Sequence, residues 1–240
     1  MDYRQRCYQA YNLHWKNFHS CSKEEFDFCA KVAKKKFKAF LPTNKAAKII
    51  DIACGTGHFI YFLKKENYTN VRGIDLSAVQ LDTARKMGIT EVEEADLFEY
   101  LPRFSNEFDM IIANHIIEHL KKEEVFKFLD TIFTALHPGG TFLLATPNTD
   151  VASIYMDFTH EVGFNLLSLE QVLRICGFKN IEIYGDAPVA YDPRSFFRTL
   201  AWKVIKTGLR AYHIVKVGTG RGMFTNRIIF ESQIFAVAKK

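Results

Sequence analysis

At 240 residues, with 48% hydrophobic and 25% charged positions, the chain has the size and balance of one large α/β domain with an ample core. No stretch reaches the roughly 18 uncharged apolar residues of a membrane span, and the start Met1-Asp2-Tyr3-Arg4-Gln5-Arg6 has no apolar core for a secretory signal. The five cysteines (Cys7, Cys21, Cys29, Cys54, Cys176) are odd in number and form no C-x-x-C pair. That argues against a disulfide framework or a zinc site and suits a reducing cytoplasm. The net charge of +5 is concentrated between Asp186 and Arg227, where eight Lys or Arg face two Asp. Such a stretch is either a solvated helix face or a surface for an anionic partner.

In chain order, Ser22-Lys23-Glu24-Glu25 reads as a capping box. It opens a helix with Phe26, Cys29, Val32, Ala33 and Phe37 at helical spacing, and the helix stops before Pro42. Residues 1–45 are thus expected to form an N-terminal helical cap. Apolar, β-branched runs predict strands at Lys48 to Ala53, Asn70 to Leu76, Glu91 to Ala95, Phe108 to Ala113 and Thr141 to Thr146. Helices fill the gaps, one of them from Lys122 to Leu136 and ending at Pro138-Gly139-Gly140. A helix from Leu169 to Cys176, a strand from Asn180 to Tyr184 and a final strand from Arg227 to Ala238 follow. An amphipathic helix over Phe196 to Val215 lies in a helical insert, 186–226, before that strand. This alternation predicts a single α/β domain over 1–240, with a mostly parallel sheet covered by helices on both faces.

The most informative segment is Ile49-Ile50-Asp51-Ile52-Ala53-Cys54-Gly55-Thr56-Gly57-His58-Phe59, a buried strand running through a glycine turn into a helix. Glycine lets the backbone approach a ligand closely. Asp75 ends the second strand, where a carboxylate can accept from both hydroxyls of a ribose. Asp96 closes the third, where one can accept from an adenine amino group. Because Asp75 sits at a strand end, it is expected to matter to the ligand and little to folding. A nicotinamide dinucleotide uses related geometry, but its third fingerprint glycine is Ile60 here. Asp51 would also repel a pyrophosphate while welcoming an amino group.

Taken together, these blocks resemble the class I S-adenosylmethionine (SAM)-dependent methyltransferases. The matching stretch runs from Lys48 to Gly185 through Asp51-Ile52-Ala53-Cys54-Gly55-Thr56-Gly57, Gly73-Ile74-Asp75-Leu76-Ser77, Ala95-Asp96-Leu97, Phe108-Asp109-Met110-Ile111-Ile112-Ala113-Asn114 and Leu136-His137-Pro138-Gly139-Gly140. Ala53 stands where many members have glycine. The resemblance implies a Rossmann-like, seven-stranded sheet with an antiparallel last strand. It also implies SAM contacts at Asp51, Ala53, Gly55, Thr56, Gly57, Asp75, Leu76, Asp96, Leu97 and Asn114. Asp157-Phe158-Thr159-His160-Glu161, with Phe164, Ser168-Leu169 and Cys176-Gly177-Phe178, is similar to enzymes that O-methylate bacterial surface polysaccharides or their precursors.

Methyl transfer to a sugar hydroxyl calls for a base. The loops after the fourth and fifth strands hold His115, His119 and His160. His160, flanked by Asp157 and Glu161, is the first candidate, and His115 the second. His115-Ile116-Ile117-Glu118-His119 also spells H-x-x-E-H. Some quinone O-methyltransferases bind a divalent metal through acid and His at these positions, but His115 stands where they have a carboxylate, so no metal is expected. The acceptor is read as a small molecule or glycan with an anionic group, with Arg194 and Arg198 sharing a helix face to grip it. Asn114-His115-Ile116-Ile117 lacks the N-P-P-[YF] grip of base methylation, so no nucleic acid is expected. Peripheral membrane contact runs through 194–215. The oligomeric state is not legible. A quinone or lipid acceptor, an NAD-dependent oxidoreductase and a non-catalytic SAM-binding protein stand as alternatives. In calorimetry, S-adenosylhomocysteine is expected to bind and NAD not; tighter binding of NAD would overturn the donor-site reading.

Overall fold

A computed structural model of the chain describes residues 22–151, 157–190, 192–217 and 231–240. At its centre, β1 (Ile49–Ile52) is buried at every position, which explains its unbroken run of β-branched residues around Asp51. β2 (Val71–Asp75) and β4 (Phe108–Asn114) flank it in parallel. With β3 (Val92–Glu94), β5 (Leu136–Pro147), β6 (Lys179–Gly185) and β7 (Gln233–Lys239), the sheet has the order β3-β2-β1-β4-β5-β7-β6. Only β7 runs against the rest, antiparallel to both β5 and β6. This is the Rossmann-like fold expected.

Alternate strand residues divide between two cores, as the two-residue period of a pleated strand requires. Ile50, Ile111, Ala113 and Leu144 face one side, where α5 (Lys122–Ala135) contributes Phe128 and Ile132 and α6 (Leu166–Ile175) contributes Leu169 and Leu173. Ile49, Met110, Ile112 and Leu143 face the other, covered by α1 (Lys23–Phe37), α2 (His58–Lys65) and α3 (Ala78–Lys86). α4 (Leu97–Tyr100) is a single turn after β3. Ser22 caps α1 by accepting from the Glu25 N–H at 3.2 Å, and the fully buried Phe26 stacks on His58 at 4.0 Å. α1 is thereby pinned over the start of α2, where the glycine turn ends.

Several boundaries differ from expectation. β5 begins at Leu136, so Pro138-Gly139-Gly140 lies inside the strand. The β4–β5 register shifts between Phe108 and Met110, and Gly139 takes φ +81° there; the glycines form a bulge, not a helix stop. β7 begins at Gln233 instead of Arg227, and residues 227–230 fall outside the described residues, as do 1–21 of the cap and 218–226 of the insert. The insert helix α7 (Pro193–Val217) extends beyond its predicted ends.

Gly73 shows how tightly α2 sits on the sheet. A Cβ there would collide with Ile60 Cδ1 and lie 2.7 Å from Cys54 Sγ. Gly73→Ala is expected to destabilise the protein by about 1–3 kcal/mol through overpacking, read as a lower urea midpoint. An unchanged midpoint would show that Ile60 and Cys54 have room to move.

Candidate active site

Because β1, β2, β4 and β5 are parallel, their carboxyl ends share one edge of the sheet, the edge where open α/β sheets place ligands. At the end of β1 the chain turns through Ala53, Gly55 and Gly57 with φ of +54°, +55° and +82°. The left-handed Ala53 explains why glycine suits that position. A Cβ on Gly55 would meet the mobile end of Gln80, 2.6 Å from its Oε1, so it is the positive φ more than the space that favours glycine there. Thr56 Oγ1 pairs with His58 Nδ1 at 2.8 Å, which directs that hydroxyl toward the start of α2.

Asp75 does more than its strand-end position suggested. Its Oδ2 accepts from the Gly55 N–H and its Oδ1 from the Ser77 N–H, both at 2.8 Å. The expectation that it matters little to folding is therefore corrected: without it, two backbone donors lose their acceptor. Burial raises the Asp75 pKa, opposed by these backbone hydrogen bonds. Asp51 is 2% exposed, and its Oδ1 has no hydrogen-bond partner. Burial, and then the charge of Asp75, push its carboxyl well above the usual range. Beyond β2 and β3 lies a groove of about 280 Å³ lined by Leu76, Ala95, Asp96 and Arg103 among others. Leu76 is 66% exposed there. Asp96 caps α4, its Oδ1 accepting from the Phe98 N–H at 2.8 Å. Leu97 is buried in the core, so its backbone, not its side chain, is what it can offer a ligand. The structure thus brings Asp51, the glycine turn and Asp75 into direct contact or charge range, with Leu76 and Asp96 along the adjoining groove.

Across the same edge, Asn114 ends β4 and His115 follows with φ +56°. A left-handed backbone at a residue other than glycine is uncommon and concentrates at functional sites. His115 Nδ1 lies 3.1 Å from Oε1 of Glu118, a fully buried carboxylate whose Oε2 accepts from Thr146 Oγ1 at 3.1 Å. Burial works to lower the His115 pKa, but the hydrogen bond and charge of Glu118 outweigh it and leave the value raised. Asp186 and Gln233 add to that rise. The Glu118 carbonyl accepts from the N–H groups of Glu161 and Val162, at 2.7 and 3.1 Å, and so ties down the loop carrying His160.

Of the carboxylates flanking His160, Asp157 lies within charge range of it and is also bonded to Thr159. Asp157 Oδ1 accepts from the Thr159 N–H at 2.8 Å and the Thr159 Oγ1 at 2.7 Å. Burial opposes ionisation of Asp157, but those bonds hold its pKa below the ordinary value. His160 also meets His119 edge to face, ring centroids 4.8 Å apart, and His119 Nδ1 lies 2.9 Å from Thr159 Oγ1. Ligand-type atoms of Glu118, His119 and His160 fall within 4.8 Å of one another, close enough for one cation to touch all three, although both Glu118 oxygens are engaged by His115 and Thr146.

The profile described as "Methyltransferase domain" matches residues 24–183. The chain belongs to this methyltransferase domain family. Phosphoethanolamine N-methyltransferase 1 of Arabidopsis thaliana is 28% identical over 161 residues, covering 61% of this chain and 32% of that protein. Trans-aconitate 2-methyltransferase of Paracidovorax citrulli is 29% identical over 112 residues, covering 46% of this chain and 42% of that protein. The chain thus spans between a third and a half of the length of these curated relatives. A crystal structure of a SAM-dependent methyltransferase from Archaeoglobus fulgidus superposes with a TM-score of 0.64 over 91% of this chain and 97% of that one, at 23% identity, which establishes the shared fold.

Sequence reading placed Thr146 and Asn148 at the end of the fifth strand without a role, and did not single out Glu231. Asn148 Nδ2 donates to the Glu231 carbonyl at 3.0 Å, and the Glu231 carboxylate, 2% exposed, receives Trp202 Nε1 at 3.3 Å and Lys206 Nζ. That junction roots α7 beside the end of β5. Arg194 and Arg198 are exposed one turn apart on α7.

The buried Asp51 generates a paired prediction. Its folded pKa lies above the unfolded value near 3.8, so its ionisation destabilises the ligand-free protein above that pH and costs nothing well below it. Asp51→Asn should therefore raise the urea midpoint at pH 7, with the gain vanishing near pH 3. The same change should weaken S-adenosylhomocysteine binding by about 10- to 100-fold, since a charged hydrogen bond is worth about 1.5–3 kcal/mol. Unchanged affinity would remove Asp51 from the donor site.

Proposed function

We propose that this methyltransferase is an enzyme that uses SAM and methylates a hydroxyl, or a phosphate-type oxygen, of an anionic small-molecule or glycan acceptor, in cytoplasmic surface-polysaccharide synthesis. The donor side fits SAM on two observations: the unpartnered, buried Asp51 Oδ1 is suited to an ammonium, and the turn beside it follows a left-handed path through Ala53, Gly55 and Gly57. Asp51 and the turn Ala53, Gly55, Thr56 and Gly57 would hold the amino-acid end. The remaining lone pairs of Asp75 would take the ribose hydroxyls, while Leu76, Asp96, Asn114 and the Leu97 backbone would border the nucleoside. When bound, SAM supplies a methyl group already activated by its sulfonium charge.

The chain's own work is on the acceptor. The observation that carries the assignment is His115, held in a left-handed backbone at the end of β4 with Nδ1 against buried Glu118. With Nδ1 so placed, Nε2 takes the acceptor hydroxyl's proton, and the Glu118 carboxylate steadies the resulting imidazolium. His160 is the second reading, favoured by its place on the loop that Glu118 anchors. The sub-family likeness at Asp157 to Glu161 and the basic stretch with Arg194 and Arg198 support a glycan acceptor with an anionic group. The domain relatives carry names with quite different acceptors, so the acceptor rests on these residues and not on kinship.

With an acceptor in hand, His115→Ala should lower kcat by about 10²–10⁴ and leave S-adenosylhomocysteine affinity unchanged. A base must be neutral to act. Glu118 raises the His115 pKa, so kcat/KM should climb with pH through that raised value, and Glu118→Gln should move the acidic limb to lower pH. If His115→Ala kept near-full turnover while His160→Ala abolished it, the base would be His160.

A further inference from the structure

We propose that α7 is an interfacial helix that seats the protein on an anionic membrane surface. The helix is 25 residues long, and its apolar side chains do not pack on the body of the protein. Phe197 and Val204 are each 68% exposed and Val215 85%, with Phe196, Leu200 and Ile205 at half or more. At 100° per residue, Phe196, Leu200, Val204, Phe197 and Val215 fall within one arc of about 100°, and Ile205 lies about 80° beyond it. The opposite arc attaches the helix. There Ser195 is 3% exposed, Thr199 Oγ1 donates to the Pro188 carbonyl at 3.4 Å, and Trp202 and Lys206 reach Glu231. The outward apolar face is therefore an oriented surface of a helix whose other side is already anchored.

Charge selects the occupant. Pro193–Val217 contains Arg194, Arg198, Lys203, Lys206, Arg210 and Lys216 and no Asp or Glu. By the same projection, Lys203 and Arg210 lie about 20–40° outside the apolar arc on one side, and Arg194 and Arg198 lie about 60° and 100° outside it on the other. An apolar stripe between cationic rows matches the acyl boundary and phosphates of an anionic leaflet, into which such a helix settles in the plane of the surface. A second copy is a poorer fit, because a two-fold contact sets these acid-free cationic rows against each other. Among the described residues, no helix is long and apolar enough to cross a membrane, so this helix would lie on the bilayer and not span it. Its root matters as well. Glu231 joins α7 to Asn148, next to Pro147 at the end of β5, so a seated helix brings the acceptor edge of the sheet toward the interface. An acceptor carried on a lipid would be presented there.

The inference is independent of methyl transfer, since membrane binding is read without turnover. The full chain is sedimented with vesicles of phosphatidylcholine alone and of phosphatidylcholine containing phosphatidylglycerol. Binding to the anionic vesicles is expected to be at least about tenfold stronger and to weaken as salt rises. Phe197→Ser with Val204→Ser, which leaves the charge unchanged, is expected to reduce it about tenfold or more, while S-adenosylhomocysteine calorimetry confirms that the variant is folded. Three results would each overturn the proposal: no sedimentation with anionic vesicles, full binding by the double variant, or self-association that the double variant abolishes while vesicles recruit nothing.

Discussion

One carboxylate holds together the two turns between which a nucleoside would lie. Asp75 uses one oxygen for the Gly55 N–H and the other for the Ser77 N–H, so the end of β1 and the start of α3 are spaced by a single side chain. The glycine turn takes its left-handed path against that acceptor. The neighbouring Asp51 then sits in the charge field of Asp75 with an oxygen left unsatisfied. Ligand-free, this corner is electrostatically uncomfortable; a cationic group placed beside it would relieve both burial and repulsion.

The edge proposed to receive the acceptor has a comparable hub in Glu118. With no exposed surface, it meets His115 and Thr146 through its side chain and Glu161 and Val162 through its carbonyl. The ends of β4 and β5 and the loop bearing His160 are thus referred to one residue. A buried carboxylate with one imidazole and one hydroxyl partner is costly to create and costly to disturb. That cost is justified where an imidazole must be held in one orientation.

The readable parts of this chain are those whose chemistry is contiguous. The run Ile49 to Phe59 states its strand, turn and helix in consecutive residues, and Asp75 and Asp96 follow at strand ends fixed by the same rhythm. The bulge at Pro138 to Gly140 was obscured because a glycine pair reads as a turn whether or not pairing resumes across it. Asp157 reads as a neighbour of His160 in sequence, but its bonds to the Thr159 N–H and hydroxyl are not legible from that spacing. Glu118 was visible within H-x-x-E-H, but its link to Thr146 spans 28 residues. That between Asn148 and Glu231 spans 83, and no local pattern encodes such distances.

The antiparallel strand has a consequence for how the chain assembles. β7 lies between β5 and β6 and pairs Lys239 with Thr141 and Gln233 with Pro147. Until it arrives, β5 presents an unpaired backbone edge flanked by core residues, and β6 has no strand to join. The closing contact bridges 98 residues between Lys239 and Thr141, including the whole of α6, β6 and α7. Such long-separation pairing makes joining β7 the entropically hardest contact of the sheet and a slow one. Among the described residues Asn148 meets the root of α7 through Glu231, which leads into β7, so the strand end that β7 closes carries that contact as well.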